Sequence, residues 1–195
     1  MTRIAQIKRK TAETDIDVTL NLDGAGKSDI DTGIGFFDHM LTLFAAHGMF
    51  DLTVKAEGDD VDNHHAVEDI GICLGRAFYE SLGDKKGITR YAFTFTPMDE
   101  SLARIAVDIS GRSALVYDVP LNREFIGALE TEMLEEFFIA FTDNAKIALH
   151  IKNEYGRNAH HIVEGVFKGF GRTLREAVRL QAGSNAVPST KGVIE

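Results

Sequence analysis

Apolar residues occupy every second position between Glu13 and Gly24 (Ile16, Val18, Leu20, Leu22) and again between Glu100 and Gly111 (Ala103, Ile105, Val107, Ile109). A period of two closed by glycine predicts a half-buried strand in each place. The β-branched and aromatic stretch 88–96 predicts another strand ahead of the second run. The period then changes. From Gly33-Ile34-Gly35-Phe36-Phe37-Asp38-His39 the chain enters an apolar helical stretch that stops near His47-Gly48. Residues 131–144 set Met133, Leu134, Phe137, Phe138 and Phe141 three and four apart, on one helical face. Further strands are expected at 50–56 and 146–152, and closing helices at 63–82 and 159–181.

The order strands, helix, strand, helix thus occurs twice. It predicts an α+β fold, a duplicated two-half sheet/helix sandwich, with halves of about 1–86 and 87–182 related by a pseudo-two-fold. Only 3 prolines occur, and no Ser/Gly-rich linker divides the halves, so residues 1–195 read as a single catalytic domain with a C-terminal tail, 183–195. A hydrophobic fraction of 44% with 26% charged residues argues against wholesale disorder. The net charge of -9, with no basic stripe interleaved with aromatics, argues against a nucleic-acid surface. No signal-like or membrane-spanning apolar stretch is present, so a cytoplasmic protein without membrane contact is expected. The single Cys73 lies in an apolar run and reads as a small buried residue.

The chemistry is concentrated in a word that occurs twice: His64-His65-x-x-Glu68 and His160-His161-x-x-Glu164. On a helix each Glu shares a face with both preceding His residues, four and three positions away. The two imidazoles themselves diverge by roughly 100°, so adjacent His residues serve different metal ions. A lone histidine on a helix is more often a surface or core residue than a ligand; duplication lifts this case. Adding His39 and His150, both in apolar segments, gives six imidazoles and two carboxylates, which divide into two sets of three His and one Glu. Such sets suit Mn, Fe, Co, Ni or Zn, and at six-coordination leave positions open for substrate. Asp38 and Asp69 are candidate acceptors for ligand N–H groups, or equally a helix cap and a solvated carboxylate.

Glu13 opens the first strand, and Met98-Asp99-Glu100 stands at the same place in the second half, so one of these acids can serve a site while the other is its structural relic. Arg90, Arg112, Lys168 and Lys191 are separate cations that could converge on a phosphate. Pro188-Ser189-Thr190-Lys191-Gly192 offers hydroxyls, a cation and a flexible backbone to an anion. A di-metal phosphoester hydrolase and a non-enzymatic metal-binding protein remain open on these features.

Longer words carry a resemblance. Arg9-Lys10-Thr11-Ala12-Glu13-Thr14, Thr32-Gly33-Ile34-Gly35-Phe36-Phe37-Asp38-His39-Met40-Leu41, Asp62-Asn63-His64-His65-Ala66-Val67-Glu68-Asp69, Asp108-Ile109-Ser110-Gly111-Arg112 and Pro188-Ser189-Thr190-Lys191-Gly192 occur in this order over nearly the whole chain. They resemble the imidazoleglycerol-phosphate dehydratase family, lyases of histidine biosynthesis. The resemblance implies a ribosomal protein S5 domain 2-like fold and a large cubic homo-oligomer, on the order of 24 subunits, with active sites at subunit interfaces. It also implies Mn2+, two per active site, held by His39, His64, His65, Glu68, His150, His160, His161 and Glu164. Glu13 becomes the catalytic acid/base. Substrate-binding groups would be Glu13 with His47, Arg90, Arg112, Lys168, Ser189, Thr190 and Lys191, the cations and hydroxyls clamping the substrate phosphate, and Asp99 would lie behind a ligand.

Overall fold

The computed structural model describes residues 3–59 and 61–194. In the first half, β1 (Ile4–Lys10), β2 (Thr14–Asn21) and β3 (Ser28–Asp31) precede α1 (Gly35–Gly48), β4 (Asp51–Gly58) and α2 (His64–Ser81). In the second, β5 (Tyr91–Met98), β6 (Ser101–Asp108) and β7 (Ala114–Asp118) lead through a small hairpin, β8 (Phe125–Ile126) and β9 (Leu129–Glu130), to α3 (Met133–Ala145), β10 (Ala148–Tyr155) and α4 (Ala159–Val178). Strand order is β1-β2-β4-β3 in one sheet and β5-β6-β10-β7 in the other. In each sheet three strands run antiparallel and the last pairs parallel to its neighbour. The registers are superimposable: Val18 faces Val54 in the first sheet, and Ile105 faces Ile151 in the second. The fold class is therefore α+β, with one topology used twice.

Each sheet buries one face under two helices, α1 and α2 on the first, α3 and α4 on the second. The helices then pair across the halves: α2 packs on α3, and α1 on α4. This order of sheet, helices, helices, sheet follows from the sequence pattern, since each strand has one apolar face and each helix one apolar stripe. The centre of the molecule is a set of aromatic rings from three helices. Phe44 and Phe170 stack at 5.0 Å, Phe141 meets Phe170 edge-on at 5.0 Å, and Phe137 stacks on Phe167 at 5.7 Å. Cys73 lies in this interior, and burial pushes its thiol up to about 11, which keeps it protonated and inert.

Two glycines let the helix pairs approach. A Cβ on Gly171 of α4 would stand 2.5 Å from the Phe44 carbonyl oxygen of α1 and 2.9 Å from Gly48 N; one on Gly75 of α2 would stand 2.5 Å from the Phe141 carbonyl oxygen of α3. Both obstacles are backbone and neither can swing aside. In an isolated helix Gly→Ala would gain about 1 kcal/mol from propensity. Here overpacking of about 1–3 kcal/mol or more is expected to win for Gly171→Ala. Gly165→Ala in the same helix meets only ordinary contacts at 3.6 and 3.7 Å and is expected to be neutral or stabilising. Urea unfolding of the two variants checks this, and equal midpoints would show that the seam yields.

The outer faces of the sheets differ. The first carries ion pairs, including Lys8–Asp17 at 2.9 Å and Lys55–Asp29 at 2.7 Å. The second exposes Tyr91, Phe93 and Phe95, with Phe93 72% exposed, and Val116 beside them. The described residues contain no helix long and apolar enough to cross a membrane.

Candidate active site

Both HHxxE words open helices, and the starts are built alike. Asp62 Oδ1 accepts from His64 N at 2.8 Å, and Asn158 Oδ1 accepts from His160 N at 3.0 Å, satisfying an otherwise unpaired N–H at each helix start. Adjacent His rings diverge as helical geometry demands. His64 and His65 lie 6.1 Å apart at 83°, His160 and His161 6.2 Å apart at 84°.

Two clusters form within the chain. In the first, His39 of α1 meets His160 and Glu164 of α4, with one ligand atom from each within 4.8 Å of the others. His160 Nε2 lies 3.1 Å and His39 Nε2 3.9 Å from Glu164 Oε2, and Phe36 packs edge-on against His160 at 5.1 Å. Burial pushes the Glu164 carboxyl up, but Lys168, one turn on, and His160 outweigh it and hold the group below the usual range. Two imidazoles and an ionised carboxylate are a donor set that fits a divalent first-row metal. In the second cluster, Glu13, Asp59 and His65 come together. His65 Nδ1 bonds Asp59 Oδ2 at 2.9 Å and lies 3.9 Å from Glu13 Oε2. The Asp59 hydrogen bond, opposed by burial, leaves the His65 pKa raised.

His161 Nδ1 pairs with Glu100 Oε2 at 2.8 Å, with Asp99 3.7 Å from its Nε2. Glu100 Oε1 also accepts from Arg157 N at 3.1 Å and Asn158 N at 2.8 Å. His161 first, then these amides, hold Glu100 far below the usual carboxylate range, and the same pair raises His161.

His64 and Glu68 join no such cluster among the described residues. His150 joins neither cluster among the described residues. Leu149 and Ile151 are both fully buried, so strand alternation turns His150 outward. It sits exposed on the outer face of the second sheet, in one row with Phe93, Ala106 and Val116, away from both clusters. Glu136 is a carboxylate that a count of histidines passes over. Met49 and Lys146 end α1 and α3 in the same left-handed conformation, φ 54° in each. Aligned there, buried Phe37, Met40, Leu41, Phe44, Ala45 and Gly48 match buried Leu134, Phe137, Phe138, Phe141, Thr142 and Ala145. His39 then corresponds to Glu136, on the helix that packs against α2. The repeat itself carries this signal, but only once the helices, and not just the HHxxE words, are aligned.

Asp38 and Asp69 serve the scaffold. Asp38 Oδ1 accepts from Thr32 N at 2.9 Å and Thr32 Oγ1 at 2.6 Å. Buried Asp69 binds Arg9 Nε at 2.7 Å and Thr14 Oγ1 at 2.5 Å, tying α2 to β1 and β2.

The candidate phosphate groups divide. Arg90, Arg112, Ser189, Thr190 and Lys191 line one cavity of about 370 Å³. Arg90 bonds Asp108 through Nε at 2.7 Å and the Pro188 carbonyl oxygen at 2.8 Å, so it also fastens the tail that carries Ser189 and Lys191. His47 lines a different cavity, of about 760 Å³, with Arg3, Arg172, Arg175 and Arg179. Burial, then Lys168 and Arg172, lowers the His47 pKa. Lys168 stays at Glu164, with its ammonium also 3.4 Å from Met98 Sδ.

Comparison with known proteins agrees with this arrangement. The sequence profile described as imidazoleglycerol-phosphate dehydratase matches residues 32–174. The imidazoleglycerol-phosphate dehydratase of Caldanaerobacter subterraneus subsp. tengcongensis is 56% identical over 193 residues, covering 98% of this chain and 100% of that protein. That of Methylorubrum extorquens is 57% identical over 192 residues, 97% of this chain and 98% of the other. Among solved structures, the Staphylococcus aureus dehydratase superimposes with a TM-score of 0.83 at 42% identity, covering 91% of this chain and 99% of that one. The Pyrococcus furiosus structure gives 0.83 at 39% identity, covering 96% and 99%. A chain with this doubled fold, these paired His/Glu helices and this degree of identity over its full length belongs to the imidazoleglycerol-phosphate dehydratase family, hydro-lyases of class EC 4.2.1.19.

Proposed function

We propose that this chain dehydrates D-erythro-imidazole glycerol phosphate to imidazole acetol phosphate in the cytoplasm, in L-histidine biosynthesis, with Mn2+ as cofactor, two per active site. The observation that carries the reading is the convergence of His39, His160 and Glu164 from two halves of a family member's fold. The ligands would be His39, His64, His65, Glu68, His160, His161 and Glu164, with Glu136 in the place counted for His150. A metal held by these side chains would supply the positive charge that acidifies a bound imidazole ring.

The remaining steps belong to side chains. Glu13 is exposed beside His65, and among the described residues no hydrogen bond ties its carboxylate. That freedom suits it to take the proton from the carbon next to the one losing hydroxide. It would deliver that proton to the carbon that lost the hydroxide as the enol becomes the ketone, the enol O–H proton passing to the hydroxide to give water. Arg112, together with Ser189, Thr190 and Lys191 on a tail fastened by Arg90, would hold the phosphate, with Lys168 and His47 contributed where neighbouring subunits meet. Self-association into a large cubic homo-oligomer accounts for two features at once. It covers the exposed Tyr91, Phe93 and Phe95 face, and it allows His64 and Glu68 to meet ligands from another copy.

Incubation with imidazole glycerol phosphate, with added Mn2+ and after chelation, tests the proposal. Metal-dependent ketone without release of inorganic phosphate is expected. Phosphate release would favour a hydrolase, and no ketone from folded, metal-loaded protein would defeat the assignment.

A further inference from the structure

The two halves hold the second histidine of each HHxxE word in the same way but with unrelated residues. Asp59 Oδ2 meets His65 Nδ1 at 2.9 Å, and Glu100 Oε2 meets His161 Nδ1 at 2.8 Å. An ionised carboxylate only accepts, and a neutral imidazole carries one N–H. Each contact therefore draws the proton to Nδ1 and leaves the Nε2 lone pair free. We propose that Asp59 and Glu100 are the positioning residues of the metal centre, each fixing the tautomer and ring orientation of one ligand imidazole. The inference rests on the metal reading given under Proposed function.

The broken symmetry shows why different residues are needed. By strand register, which shifts by one residue at the bulge between Asn153 and Tyr155, Gly58 corresponds to Gly156 and Asp59, just past β4, to Arg157, just past β10. A guanidinium only donates, so Arg157 cannot accept a hydrogen bond from His161 Nδ1. Glu100, in the turn between β5 and β6, takes the task, and its second oxygen is fixed by the two amides at the start of α4. Its own counterpart is Glu13, whose carboxylate stops 3.9 Å from His65 Nδ1, outside hydrogen-bond range. Asp59 holds that nitrogen in its stead, and Glu13 is spared.

Substitutions at the two positions separate this role from plain structural support. In Glu100→Gln one amide oxygen can still accept from Arg157 N and Asn158 N, but an NH2 group replaces the oxygen facing His161 Nδ1. It would donate to that nitrogen and drive the ring proton onto Nε2. Asp59→Ala removes the acceptor from His65, whereas Asp59→Asn can still present an amide oxygen. Mn2+ affinity of the assembled protein, read from the free-ion electron paramagnetic resonance signal, is expected to fall about 10–100-fold for Glu100→Gln and Asp59→Ala. It should recover in part for Asp59→Asn and hold for Glu57→Ala, an exposed carboxylate of the same strand. Wild-type affinity in both Glu100→Gln and Asp59→Ala would overturn the inference, as would an equal loss in Glu57→Ala. Absence of Mn2+ binding by the wild type would instead overturn the metal reading beneath it.

Discussion

Glu13→Gln is expected to lower turnover by about 10²–10⁴-fold, the usual contribution of a positioned proton-transfer group. Metal content and particle size should stay at wild-type values. Gln keeps the size of Glu and its hydrogen-bonding reach but cannot take up or return a proton. The prediction is sharp because Glu13 has no anchoring role to lose: its oxygen lies 3.9 Å from His65, while Asp59 at 2.9 Å holds that ring. Glu100, at the same place in the repeat, is bonded to His161 and two backbone amides, so its removal should act first on metal affinity. Steady-state rates with saturating Mn2+ decide the matter. A Glu13→Gln enzyme within about tenfold of wild type would remove Glu13 from the proton path.

Phe137→Ala should be the most damaging single truncation for stability. The ring is fully buried and touches those of Phe37 and Phe138 at 5.2 Å each, Phe167 at 5.7 Å and Phe141 at 6.4 Å. Phe→Ala in such a setting costs about 3–5 kcal/mol, because rigid neighbours cannot close the cavity. Domains of this kind hold only about 5–15 kcal/mol in total. Denaturant unfolding at fixed protein concentration should show a lower midpoint with little change in slope. A loss below about 1 kcal/mol would mean that the ring cluster repacks.

Much of this architecture is written in periodicity. The alternation around Val18 and Ile105 predicts β2 and β6, and the helices bearing His64 and His160 begin within one residue of the expected starts. The parallel strands β3 and β7 and the β8–β9 hairpin are not legible that way. Ser28–Asp31 is mostly polar and gains its place only by pairing with β4. The site is legible where side-chain identity decides and illegible where neighbours decide. His39, His160 and Glu164 come together, whereas His150 stands apart from them on its strand. Leu149 and Ile151 already place it on the outer face. Asp59 and Glu136 give no local signal. Asp59 is found through its contact with His65, Glu136 through its rank in a repeated helix. Arg90, Arg112, Ser189, Thr190 and Lys191 share one cavity, whereas Lys168 stays at Glu164 and His47 lines another, because spacing along a chain says nothing about which surface a residue reaches.

The pairing of α1 with α4, and of α2 with α3, has a further consequence. Two separate copies of a half could build these pairs only as a symmetric dimer, and there every substitution would strike both centres together. Joining the copies into one polypeptide releases each centre to change alone. Glu136 can stand opposite His39, Arg157 opposite Asp59, and a fixed Glu100 opposite an unbound Glu13. A dimer of identical halves would have to leave both carboxylates free or clamp both. Covalent fusion is what lets one of them stand free while the other is held.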